Sequence, residues 1–202
     1  MSRYCERASL RACCGCVVAL CALSWSTSSA SAKDACAGVA LPQTAEAFGA
    51  RLVLNGMGVR RATFLNVHVY VAGLYVEHRS RDARAILRPE EAKLITLRFV
   101  RDVSHAEMVD AIRDAIRDNA PQEYAHALAE LKRFERALPE LREGMRLTLA
   151  YRPQHGLEIR VNDKRRAVEP NDAFANLVFR AWLGPKPPDS DLKAGMLGAP
   201  CD

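Results

Sequence analysis

A few polar residues interrupt otherwise apolar, strand-like sequence: Arg60, Asn66, His68 and Tyr70 close together, and Tyr124 farther along. An arginine fork near a phenol is suited to holding an anion. The guanidinium offers paired N–H groups that match a carboxylate, and the hydroxyl adds one more donor. His68 adds a ring nitrogen that could ligate the metal of a tetrapyrrole, while Asn66 supplies donor and acceptor atoms side by side.

Other chemistries lack their residues. Gly56-Met57-Gly58 is followed by Arg61 where a dinucleotide fingerprint needs a small residue, and neither a phosphate-binding loop nor a nucleophile elbow is present. This excludes a redox cofactor on a Rossmann unit. His68, His78, His105, His126 and His155 form no pair at helical or zinc-finger spacing, so no metal and no cofactor is expected. The formal net charge of +5 is a weak field, and basic residues from Arg133 to Arg146 alternate with Glu135, Glu140 and Glu143 as on a solvated helix face. Nucleic acid is not an expected partner.

The elements that must position these groups follow from periodicity. Leu52-Val53-Leu54 before Asn55-Gly56 predicts a short strand and a turn. In the stretch from Gly58 to Val76, Leu65, Val67, Val69 and Val71 alternate with Asn66, His68, Tyr70 and Ala72, which predicts one apolar and one polar-aromatic face. Gly73 marks a bulge, a bend or a close ligand approach. A short helix is expected from Arg81 to Leu87 and a strand from Lys93 to Val100. Ser104 with Glu107 forms a capping box that opens a helix, Pro121 ends it and can open the next, and helical spacing continues to Pro139.

Strands return at Met145 to Tyr151 and Leu157 to Val161, and Asn162-Asp163 forms the tip of a further hairpin. A last long helix starts at its N-cap Asn171 and stops at Gly184-Pro185, with a short helix possible near Asp191 to Met196. Strands on both sides of a helical block predict an α+β fold, a mostly antiparallel sheet with helices on one face and a cleft between the layers.

The N-terminus carries Arg3, Arg7 and Arg11, an apolar run from Ala12 to Trp25, and Ala30-Ser31-Ala32. This pattern is a secretory signal over residues 1–32, too short to span a bilayer, cleaved after Ala32. Residues 33–49 read as a tether and 50–202 as the domain. The expected location is periplasmic or secreted, with no membrane span after cleavage. Cys36 and Cys201 then remain of the seven cysteines, and an exported chain with one near each end is expected to join them. Closing a loop of about 165 residues restricts the unfolded chain by up to roughly 5 kcal/mol.

Three segments, Asn55-Gly56-Met57-Gly58-Val59-Arg60, Val69 to Val76 and Leu97 to Val103, resemble the chalcone isomerase family in order and spacing. The ending from Asp172-Ala173-Phe174 to Trp182-Leu183-Gly184 and Leu197-Gly198 is similar to its bacterial branch. The resemblance implies an open-faced β-sandwich, a large antiparallel sheet covered by helices beneath an apolar cleft. It also implies that Arg60 and a tyrosine, Tyr70 or Tyr124, hold the carboxylate of a fatty-acid-like ligand. Plant isomerases place polar groups where this chain has Tyr70, Leu131 and Ala175, and losing transition-state donors lowers rate by orders of magnitude.

The leading expectation is therefore a non-catalytic binding protein for an apolar ligand with an acidic end. The alternatives are an intramolecular lyase or isomerase, and an interaction protein whose cleft is filled by Phe64, Tyr70 and Trp182. Burying about ten methylenes contributes on the order of 8 kcal/mol before association costs, against roughly 1.5 to 3 for one charge-assisted hydrogen bond. The tail sets affinity and Arg60 sets orientation. N-terminal sequencing of the exported protein is expected to begin at Lys33; a chain retaining Met1 would overturn the cleavage assignment.

Overall fold

The computed structural model describes residues 35–62 and 66–201. The expected leader, its junction at Ala32, Phe64 and Leu65 lie outside the described residues. Strands β1 (Ala35–Cys36) and β2 (Val39–Ala40) form a two-stranded ribbon. Seven further strands follow in chain order: β3 (Thr44–Ala47), β4 (Ala50–Ala62), β5 (Val67–Val76), β6 (Lys93–Phe99), β7 (Arg146–Arg152), β8 (Gly156–Val161) and β9 (Lys164–Glu169). Each pairs antiparallel with the next, giving one meandering sheet ordered as the chain runs.

Helix α1 (Ala83–Leu87) precedes β6, and α2 (His105–Asn119), α3 (Pro121–His126) and α4 (Leu128–Ala137) lie between β6 and β7. Helices α5 (Asp172–Leu183) and α6 (Ser190–Met196) end the fold. None of the helices among the described residues is long and apolar enough to cross a membrane.

Local chemistry accounts for the boundaries. Ser104 accepts from the Glu107 amide at 3.1 Å, and Asn171 accepts from those of Ala173 and Phe174 at 3.0 and 3.1 Å, satisfying first-turn donors. Asn162 and Asp163 take φ of 47° and 66°, the left-handed pair that a two-residue hairpin between β8 and β9 requires. The helical run expected to reach Pro139 breaks at Ala127, whose φ of −104° and ψ of 13° separate α3 from α4.

The helix-facing side of the sheet is built by Leu97, Phe99, Leu147, Leu149, Leu157 and Ile159 against Phe134, Phe174 and Val178. The opposite side is covered as well, by residues 35–49, whose reading as part of a tether is thereby corrected. There Leu52, Leu54, Tyr75 and Leu94 pack with Ala47, and Val59 and Val71 pack with Cys36 and Leu41. Both faces of β5 are consequently buried beyond its first two residues. Gly73 is the point where the Leu41 side chain presses on the sheet, so a Cβ there would strike it.

The expected turn at Asn55-Gly56 is instead a bulge within β4. Cβ atoms at Gly56 and Gly58 would run into the backbone of Gly195 and Leu192, so α6 lies on the strand main chain to main chain. Asn55 donates to the carbonyls of Ser80 and Met196, both at 2.9 Å. After α6 the chain returns to the N-terminal ribbon, where Cys201 is bonded to Cys36 with Cα atoms 5.6 Å apart.

Buried Asn119 secures the link between α5 and α6. It donates to Ala115 O at 2.8 Å and Lys186 O at 2.7 Å and accepts from Lys186 N at 2.8 Å. Gly58→Ala should lower unfolding stability by about 1–3 kcal/mol, measured in denaturant with an unchanged m-value, because backbone rather than a mobile side chain must yield. An unchanged midpoint would show that α6 can shift at no cost.

Candidate functional site

A cleft opens where the tip of the β4–β5 hairpin meets α2, α5 and the link before α6. Arg60, Ala62, Val69 and Tyr70 form its sheet side; Glu107, Met108, Ala111, Ile112 and Ala115 come from α2; Ala181, Trp182, Pro188, Val103 and Arg101 complete it. Its free space is about 80 Å³. That exceeds the 10–15 Å³ or so needed for one water several times over and is smaller than the roughly 150 Å³ that takes up one benzene ring. The space exists because Ala62, Ala111, Ala115 and Ala181 contribute only methyl groups to its walls.

Arg60 and Tyr70 face each other across the β4–β5 register. The Arg60 side chain is 27% exposed, which places it at the mouth. Its Nη1 donates to the carbonyl of Arg61 and lies 3.9 Å from the Asp189 carboxylate, beyond hydrogen-bond length. Asp189 is engaged elsewhere: Oδ2 accepts from Arg61 N at 3.0 Å, and Oδ1 caps α6 by accepting from the amides of Asp191 and Leu192 at 2.9 and 3.1 Å. The aspartate therefore holds Arg60 by charge and leaves most of the fork's donors open to an incoming anion.

Tyr70 is buried deeper. Its hydroxyl accepts from Trp182 Nε1 at 3.1 Å, and among the described residues its own proton has no acceptor. The ring packs edge-on against Phe99, with centroids 5.6 Å apart. Burial pushes the phenol up to about 12, against the pull of the Trp182 hydrogen bond and of the Arg60 charge. At neutral pH Tyr70 is thus a fixed donor and not a phenolate.

Across the mouth, Arg101 donates from Nη1 to Asp102 O at 2.7 Å and pairs with Glu107, while its Nε is buried without a partner. Arg101, Glu107 and the four alanines were not singled out from sequence. The signal available was the position of Arg101 directly after β6 and of Glu107 in the α2 capping box, both of which face the sheet end once the strands pair.

The structure brings Arg60 and Tyr70 together and separates them from Asn66, His68 and Tyr124. The last β4–β5 pair is Ala62 with Val67, and Asn66 sits in the hairpin turn with φ of 54°. Asn66 and His68 are exposed beyond the helical cover, so they do not line the cleft, and His68 does not present a ligand into it. Tyr124 lies on α3, past the far end of α2 from Glu107, and packs half-buried against the core. Ala120, with φ of −157° and ψ of 63°, separates α2 from α3, and Tyr124 lies on the short helix beyond that break. Phe64 lies outside the described residues; Tyr70 and Trp182 border the cleft without filling it.

Residues 32–198 match the family described as chalcone isomerase-like. In fold the chain is similar to a fatty-acid binding protein of Arabidopsis thaliana, with a TM-score of 0.64 and 13% identity, covering 79% of this chain and 92% of that one. No curated protein matches the sequence.

Because the Tyr70 pKa is raised from 10.0 to about 12, its contribution to stability is fully present below pH 10 and is lost as pH rises through 12. Tyr70→Phe should remove one high-pH phenol step from the ultraviolet titration and leave those of Tyr75 and Tyr151. A variant titrating like the parent would refute the assignment.

Proposed function

The chain belongs to the chalcone isomerase-like family, and from that premise we propose that it is a non-catalytic carrier of a slender apolar ligand with an acidic end, such as a fatty acid. The observation that carries this reading is the pairing of a partly free guanidinium and a protonated phenol at one edge of a cleft whose further walls are mostly apolar, with the Arg101–Glu107 pair across the mouth. A carboxylate at the mouth would accept from the Arg60 fork and from the Tyr70 hydroxyl, both donors being in place before the ligand arrives. Its chain would run past Met108, Ile112 and Ala115 toward Ala181.

The residues favour holding over turnover. Leu131 and Ala175, which stand where plant isomerases carry polar groups, are buried in the apolar core and absent from the cleft lining. Tyr70, neutral at working pH, is a poor base. The fatty-acid binding protein from Arabidopsis thaliana shares the fold, and that likeness agrees with a carrier. We also propose that the protein acts outside the cytoplasm, in the periplasm or after secretion: the leader-like N-terminus and the Cys36–Cys201 bond both suit an oxidising compartment.

Titration of delipidated protein with a long-chain fatty acid, followed calorimetrically, is expected to give one site. Arg60→Ala should weaken it about 10- to 100-fold, the equivalent of one charge-assisted bond. Absence of binding, or equal binding by the variant, would overturn the proposal, and turnover of chalcones above the uncatalysed rate would replace it with an isomerase.

A further inference from the structure

The end of the sheet where the cleft opens also gathers basic residues that the carrier reading does not use. The register places Arg98 directly opposite Arg146, and both project from the face away from the helices, since their neighbours Leu97 and Leu147 face the core. The adjacent β8–β9 turn leads into Lys164, Arg165 and Arg166, all exposed, with Lys164 paired to Val161 at the same end. Several cations here have carboxylate partners: Arg101 has Glu107, Arg142 has Asp102 and Arg146 has Asp163. Arg98, Lys164, Arg165 and Arg166 have none among the described residues.

Arg146 is already answered by Asp163, which leaves Arg98, opposite it in the register, as the arginine of this pair without a carboxylate among the described residues. The same end exposes Val67 at 42%, an aliphatic side chain at the tip of the hairpin that borders the cleft.

We propose that this end of the sheet docks on an anionic phospholipid surface, with the cleft mouth turned toward the bilayer. Uncompensated arginines and a lysine supply attraction to lipid phosphates, and Val67 is placed to enter the interfacial layer. A lipid surface fits better than an acidic protein because the exposed apolar Val67 at the hairpin tip stands at the same end as the charges. The purpose of docking rests on the carrier reading; the docking itself does not.

The test is co-sedimentation of the purified protein with vesicles of phosphatidylcholine alone and vesicles enriched in phosphatidylglycerol. The expected result is binding at least about tenfold stronger to the anionic vesicles at low salt, and its loss at high salt. Arg98→Glu should abolish the preference, as should Lys164→Glu with Arg165→Glu at the exposed tip, where folding is not at stake. Both variants should titrate soluble fatty acid as the parent does. Equal binding to the two vesicle types, undiminished binding by both variants, or binding to polyglutamate with none to vesicles would overturn the proposal. Vesicle binding retained by protein that takes no fatty acid would support docking while refuting the carrier.

Discussion

The backbone-to-backbone contact between α6 and β4 governs how the functional edge is built. Gly56 and Gly58 leave no side chain between strand and helix, and Gly195 returns the favour from the helix side. The N-cap of that helix is Asp189, whose carboxylate then lies beside Arg61 N and the Arg60 guanidinium. Two cross-links hold the arrangement. Asn55 reaches the last turn of α6, and the disulfide returns the following residues to the N-terminal ribbon. Arg60 is aimed by a helix docked from more than a hundred residues away, and the glycines that failed as a nucleotide motif are the seat on which that helix rests.

The cleft combines two kinds of polar group that behave differently. Tyr70 is buried, neutral and oriented by Trp182, so its geometry is set before anything binds. Arg60 is nearer solvent, and its attraction to Asp189 acts at a distance where water and salt weaken it. One donor is rigid and the other adaptable. Most of the remaining wall is alanine and larger aliphatics, which offer shape and desolvation, and the further charged lining is the mutually paired Arg101 and Glu107.

Much of this architecture was legible in the sequence because it depends on short-range rules. The Ser104 cap, the Asn171 cap, the Asn162-Asp163 turn and the cysteine pair each specify their local outcome, although the glutamate half of the expected capping box pairs with Arg101 instead. Arg60 and Tyr70 were legible from residue type beside apolar strands. What failed depended on where pairing stops. Asn66 and His68 keep perfect alternation with their neighbours, yet alternation cannot tell that the strand begins at Val67 and that its first residues overhang the helices. Residues 35–49 lack the length and hydrophobicity of ordinary strands, yet they pack on the back of the sheet, with Leu41 over Gly73. The small residues of the cleft carry no signal of their own; a methyl group matters there only because of what it leaves empty.

Asn119 fixes the run of chain between α5 and α6 in place. Its three hydrogen bonds splint the proline-rich connector at Lys186, and Gly184 is too close to the asparagine side chain to carry a larger residue. Pro188 of that connector lines the cleft, so the splint two residues earlier also steadies one of its walls, whereas Ala111 of α2, on another wall, is exposed and carries only a methyl group.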